Sequence, residues 1–171
     1  AEKLINIIKA GLDRGIRLIQ LRTHLLAKNT YCELANVCFE LCSANQAKLI
    51  VNCESDWLID LSAHGYHLSG FRLESFIKTK LQLPISLFSV SCHNQNEIEQ
   101  SNPLQPVCQL IAPVLQTDTH PDCIPLDWHG FHQLSSCADV PVYGLGGMRE
   151  NDLEVARSHG GQGVSGISMF L

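Results

Sequence analysis

Apolar residues at Leu4, Ile7, Ile8 and Leu12 recur at helical spacing, and Gly15 interrupts them before the stretch from Ile16 to Arg22. A period near 3.6 followed by a short aliphatic run predicts a helix feeding a strand. The alternation continues down the chain. Tyr31 to Ser43 reads as helix, with Cys38 and Cys42 one turn apart, and Lys48 to Asn52 as strand. A short helix from Asp56 to Ala63 precedes a strand at Gly65 to Leu68, and a segment from Leu73 to Lys80 precedes one at Ile85 to Ser91. A helix beginning near Asn94 leads to a strand from Val107 to Ala112. After a loop rich in Thr, Asp and Pro, Trp128 to Ser136 is helical and Val142 to Leu145 extended; Asn151 to His159 is the last helix, before a strand at Gly163 to Ile167.

Strands joined by helices at this interval need crossover connections, so the sheet is parallel and the class α/β. A doubly wound sheet competes on pattern alone, but its usual G-x-G-x-x-G first turn is missing. Polar residues recur at nearly every strand end, which suits a (β/α)8 TIM barrel whose loops gather on one face. The pattern starts inside a helix and stops just after the seventh strand. Residues 1–171 are therefore expected to form a single barrel domain lacking its first strand and last helix, with the missing strand upstream or supplied by a partner.

Composition narrows the function. The chain is 45% apolar and 17% charged, ordinary for a globular domain, and has no apolar run long enough for a membrane span and no signal-peptide pattern at its start. A cytoplasmic address is expected. The net charge of −5 offers no basic stripe for nucleic acid. Eight cysteines without a C-x-x-C pair, in a chain with this much core, read as reduced and mostly buried thiols. Eight histidines raise zinc, through His129 and His132 or His120 and Cys123, yet neither pair completes a four-ligand pattern, so no metal ligands are assigned.

The candidate chemistry lies at the strand ends. Gly146 and Gly147 close the sixth strand and let a backbone approach an anion; Ile167 and Ser168 close the seventh. In barrels, the corresponding loops commonly build a phosphate site. On that reading Gly147→Val blocks the phosphate site while the protein stays folded. Alternation puts Gln20 and Arg22 on one face, with Arg22 either an anion ligand or a rim ion pair. Asn52 ends the second strand, and Ser91 and His93 share a face at the end of the fourth. Residues 116–122 concentrate Thr117, Thr119, His120 and two aspartates.

In order and spacing these positions resemble the thiamin phosphate synthase family, including its thiazole tautomerase branch, over nearly the whole chain. Gln20 to Arg22 resembles the family's Q-x-R-E-K strand end, which binds pyrimidine pyrophosphate. Asn52 matches the start of its N-D motif, Gly65 to Leu68 its G-x-H-L, Ser91 to His93 its S-x-H, and Thr117 to Thr119 its T-x-T. Gly146 to Met148 and Ile167 with Ser168 match the thiazole phosphate cradle. The resemblance implies a (β/α)8 barrel that binds a phosphorylated thiazole or thiamin-related molecule. Gln20, Arg22, Asn52, Ser91, Thr117, Thr119 and His120 would contact substrate, and Gly146, Gly147, Ile167 and Ser168 would hold phosphate.

The chain departs from the family where charge matters. Cys53 replaces the first Mg²⁺-binding aspartate and Arg72 falls near the second; His24 and His120 replace two lysines that would face pyrophosphate. The implied Mg²⁺ site is lost, no cofactor is expected, and synthase catalysis is expected to be impaired or altered. The tautomerase branch's histidine would fall within Ile111 to Pro113, so His93 and His120 become the candidate catalytic groups. Ser91 to His93, the loop ahead of Trp128 to Phe131, and Pro141 to Met148 also resemble the synthase-like domain at the C-terminus of some bacterial Nudix hydrolases. The partners implied are a phosphorylated small molecule and either a second copy of the chain or an attached Nudix domain. The alternative is a non-catalytic module sensing that ligand for such a domain.

Overall fold

In the computed structural model, residues 2–23, 25–79, 84–117 and 122–167 are described. Helix α1 (Glu2–Asp13) precedes β1 (Leu18–Arg22); α2 (Lys28–Ala44) precedes β2 (Lys48–Asn52); and a 3₁₀ helix (Ser55–Ile59) precedes β3 (Gly65–Leu68). Then come α3 (Gly70–Thr79), β4 (Phe88–Cys92), α4 (Gln95–Ser101), β5 (Cys108–Ile111), α5 (Asp127–Ser135), β6 (Val142–Leu145), α6 (Leu153–Ser158) and β7 (Gly163–Ser165). Strands β1, β2 and β3 pair in parallel in chain order, as do β4, β5, β6 and β7, as the helix-strand alternation predicts.

Several elements differ in length from the sequence reading. The segment after β2 is a single 3₁₀ stretch, shorter than the helix expected to Ala63. Strand β4 starts at Phe88, three residues after Ile85. Strand β7 ends at Ser165, so Ile167 lies beyond the ladder with its side chain 64% exposed.

The chain divides into two compact units. The first contains the described residues of 2–67 and 84–88. Its α2 buries Tyr31, Leu34, Ala35, Cys38 and Cys42, a stripe at intervals of three and four residues that covers β2, whose Leu49 and Val51 are fully enclosed. A buried tyrosine needs a partner for its hydroxyl. Tyr31 Oη donates to Leu21 O at 2.9 Å, and Tyr66 Oη donates to Cys53 O at 2.8 Å. These bonds pin the last turns of β1 and β2. Burial raises the Tyr31 hydroxyl well above its ordinary pKa, which keeps it a donor.

His64 joins β2 to the chain entering β3. The Leu49 N–H donates to His64 Nδ1 at 3.0 Å, and the His64 N–H donates to Leu49 O at 2.9 Å. The ring proton therefore sits on Nε2, and the ring stacks on Phe39 with centroids 4.6 Å apart. Partial burial, with the Lys48 charge second, lowers the pKa of His64.

The second unit contains 68–79 and the described residues of 89–167. Its α4 starts from a capping box: Glu97 N–H donates to Asn94 Oδ1 at 3.0 Å, and the Glu97 carboxylate reaches back to the His93 N–H at 2.7 Å. Asp127 opens α5 in the same manner, its carboxylate accepting from the N–H groups of His129 at 2.7 Å and Gly130 at 2.9 Å. Six of the eight cysteines are buried and none is disulfide-bonded, matching the reduced-thiol reading. Burial pushes Cys92 up to about 12 and Cys38 and Cys108 up to about 11, which leaves them protonated and inert at neutral pH.

Two stability predictions follow from the first unit. Tyr31→Phe removes the hydroxyl's bond to the Leu21 carbonyl and is expected to lower the unfolding free energy by about 1 kcal/mol in urea titration. Because the folded protein holds His64 neutral, the unfolded chain binds more protons as pH falls through about 6.5. The contribution of His64 is full above that pH and disappears as pH drops through the lowered folded value. Urea midpoints measured across this window should fall with pH, and His64→Gln should flatten the His64 part of that slope.

Candidate functional site

The first unit brings three of the expected ligand contacts together. In the β1–β2 ladder Arg22 stands opposite Asn52 and Gln20 opposite Ile50, so Gln20, Arg22 and Asn52 share one face. The Asn52 amide donates to Gln20 Oε1 at 3.3 Å. Leu21, between the two polar residues, turns inward and is 3% exposed, whereas Gln20 and Arg22 are exposed. Among the described residues, no carboxylate pairs with Arg22. The rim ion pair that the sequence left open is absent there.

The second unit holds the other group. Ser91, 9% exposed, lies near the end of β4, and His93 follows the strand. His93 Nδ1 is 2.7 Å from Ala112 O, where β5 runs into the cis Ala112–Pro113 peptide. Beyond that peptide two loop bonds tie the chain to the end of β6: the Val114 N–H donates to Leu145 O at 2.9 Å and the Leu115 N–H to Gly146 O at 3.1 Å. The N–H groups of Leu126 and Asp127 donate to the carbonyls of Pro113 and Val114, both at 3.0 Å, tying α5 to the same loop.

Gly146 and Gly147 have φ of +95° and +69°, the left-handed region where a side chain is strained. A Cβ on Gly146 would stand 2.9 Å from Pro113 Cα, and one on Gly147 would stand 2.4 Å from Gln116 O. Both glycines are required by the loop's own packing. Gly147→Val therefore cannot leave the fold intact as the sequence reading expects, because its clash is with backbone. Thr117 follows Gln116 directly and is half-buried; Thr119, His120, Ser168 and His24 lie outside the described residues.

The positions that would hold the family's Mg²⁺ do not fit it. Cys53, in the first unit, is 5% exposed and presents a thiol, a soft group with little affinity for a hard dication. Arg72, in the first turn of α3 in the second unit, is a cation. Among the described residues no group of three His, Cys, Asp or Glu side chains is placed to hold a metal ion. His129 and His132, the sequence's zinc candidates, contact Gln133 Nε2 at 3.1 Å and His159 O at 3.3 Å.

Sequence reasoning missed the groups that brace the site. Glu97 holds the backbone of His93, Ala112 O holds its ring, and Gly70 leaves room for both, since a Cβ there would stand 3.2 Å from the Glu97 carboxylate and 3.3 Å from His93 Cδ2. Only the first had a signal, in the Asn94-to-Glu97 spacing of a capping box.

Comparison with known proteins bears on the family and the fold. A putative thiamine-phosphate synthase 2 from Aquifex aeolicus is 25% identical over 99% of this chain and 91% of its own length. A thiamine-phosphate synthase from Prochlorococcus marinus is 26% identical over 99% of this chain and 48% of its own length. The fold matches that of a thiamine phosphate pyrophosphorylase from Pyrococcus furiosus, with a TM-score of 0.79 and 16% identity over 95% of this chain and 78% of that one. No described helix is long and apolar enough to cross a membrane. The family model for thiamine monophosphate synthase matches residues 1–170, and the chain belongs to that family.

Proposed function

We propose that this chain is a thiamine-phosphate synthase-like domain that binds a phosphorylated thiazole or thiamin-related ligand, with catalysis impaired or altered relative to the synthases. The observation that carries the reading is the exposed face of Gln20, Arg22 and Asn52, whose guanidinium has no carboxylate partner among the described residues. An arginine fork left open beside two side-chain amides is suited to a phosphate or pyrophosphate oxygen pair. In the second unit, Gly146 and Gly147 present backbone without side chains close to Pro113 and to Gln116, the residue before Thr117, and Ile167 and Ser168 would add to that phosphate contact.

The altered chemistry rests on charge. Departure of pyrophosphate requires concentrated positive charge. With Cys53 and Arg72 at the metal positions and His24 and His120 where the family has lysines, the developing charge has little to stabilise it. Ligand binding survives this loss better than turnover, because binding draws on the retained hydrogen-bonding groups. That favours, as a second reading, a domain that reports ligand occupancy to an attached partner such as a Nudix hydrolase domain.

Calorimetric titration with thiazole phosphate, thiamin phosphate and pyrimidine pyrophosphate, with and without Mg²⁺ and with product assayed, tests the proposal. The expected result is Mg²⁺-independent binding with little or no turnover; no binding of any of the three would contradict it. Arg22→Ala should weaken pyrimidine pyrophosphate binding by roughly 1.5–3 kcal/mol, the range for a charge-assisted contact. An unchanged Kd would return Arg22 to a surface role. Gly147→Ala should cost about 2 kcal/mol or more of stability, from left-handed strain and the clash with Gln116 O, as read by urea unfolding.

A further inference from the structure

The His93 contact with Ala112 has a chemical consequence of its own. A carbonyl oxygen only accepts, so at 2.7 Å from Ala112 O the Nδ1 of His93 carries the ring proton. In the neutral ring Nε2 is then the acceptor, and among the described residues it has no hydrogen-bond partner. His159 has the same kind of contact, its Nδ1 2.8 Å from Val155 O, whereas His64 has the opposite tautomer, its Nδ1 accepting from the Leu49 N–H. The His93 arrangement is braced from three sides. Glu97 fixes its backbone N–H, Ala112 O fixes its ring, and the missing Cβ at Gly70 leaves space for the ring edge and the Glu97 carboxylate. Pro113, next to the carbonyl that orients His93, is also the residue against which Gly146 packs.

We propose that His93 is a ligand-contacting acceptor in the second unit, presenting Nε2 to an N–H or O–H donor of a bound phosphorylated heteroaromatic molecule. The inference deepens the functional reading above and rests on it for the ligand class. Fixing the proton on Nδ1 removes the cost of choosing a tautomer on binding. It also lets Nε2 accept a hydrogen bond, or a proton, without breaking the bond to Ala112.

Two substitutions separate this role from a structural one. His93→Asn keeps a donor near the Nδ1 position and deletes the Nε2 acceptor; His93→Gln places an amide oxygen near Nε2 and gives up the tether. A ligand role predicts that Asn weakens thiamin phosphate binding roughly three- to tenfold, as for one hydrogen bond, and that Gln recovers part of it. A purely structural role predicts the reverse order. Histidine ¹⁵N NMR on the unsubstituted chain gives a readout independent of either variant's folding: the proton should be on Nδ1, and the Nε2 resonance should move on addition of thiamin phosphate. A proton on Nε2, an unmoved Nε2 resonance with ligand bound, or unchanged affinity in a folded His93→Asn protein would overturn the assignment while leaving the functional reading in place. Failure of the unsubstituted chain to bind any of the three phosphorylated probes would overturn both.

Discussion

The second unit depends on one close approach of backbone to backbone. Beyond the Ala112–Pro113 peptide the chain leaves β5 but stays bound to the end of β6, with the Val114 and Leu115 N–H groups donating to Leu145 O and Gly146 O. That attachment brings Pro113 and Gln116 so near the β6 turn that no Cβ fits at Gly146 or Gly147. The β5 loop, the start of α5, the bare backbone of the glycine pair and the carbonyl that orients His93 all hang on this contact. A side chain at either glycine disturbs the scaffold before it reaches any ligand. The glycines thus have a structural reason to be there whatever they bind.

This alters how the sequence should be weighed. The helix and strand alternation, the parallel sheet and the shared face of Gln20 and Arg22 are legible from periodicity, because period 3.6 and period 2 follow from local geometry, whereas the place of Asn52 on that face comes from the β1–β2 register. The boundaries of β4 and β7 and the shortness of the helix after β2 were not legible, because element ends depend on which backbone groups find partners, and an aliphatic run such as Ile85 to Ser91 reads the same on either side of that limit. The glycine pair was legible as a turn, but its contact with Gln116 was not, since it depends on a loop that is distant in sequence.

The bracing of His93 shows the same division. Asn94 and Glu97 announce a helix start, yet nothing in the spacing tells that the Glu97 carboxylate takes the His93 N–H or that the ring reaches the end of β5. Both are tertiary facts. Local rules locate the polar groups at strand ends, and tertiary contacts determine which have a side left for a ligand. Arg22 is the plainest case, its guanidinium having no carboxylate partner among the described residues.

The chain belongs to the thiamine monophosphate synthase family, and the proposed reading is that it keeps ligand contacts while Cys53, Arg72, His24 and His120 stand where the family resemblance implies charge suited to pyrophosphate departure. The most direct test of that account is a map of backbone amide chemical shifts on titration with thiazole phosphate. The account predicts saturable shifts at Gly146, Gly147 and Met148 in the absence of Mg²⁺. Saturation with those amides unmoved, or no response at any amide, would contradict it.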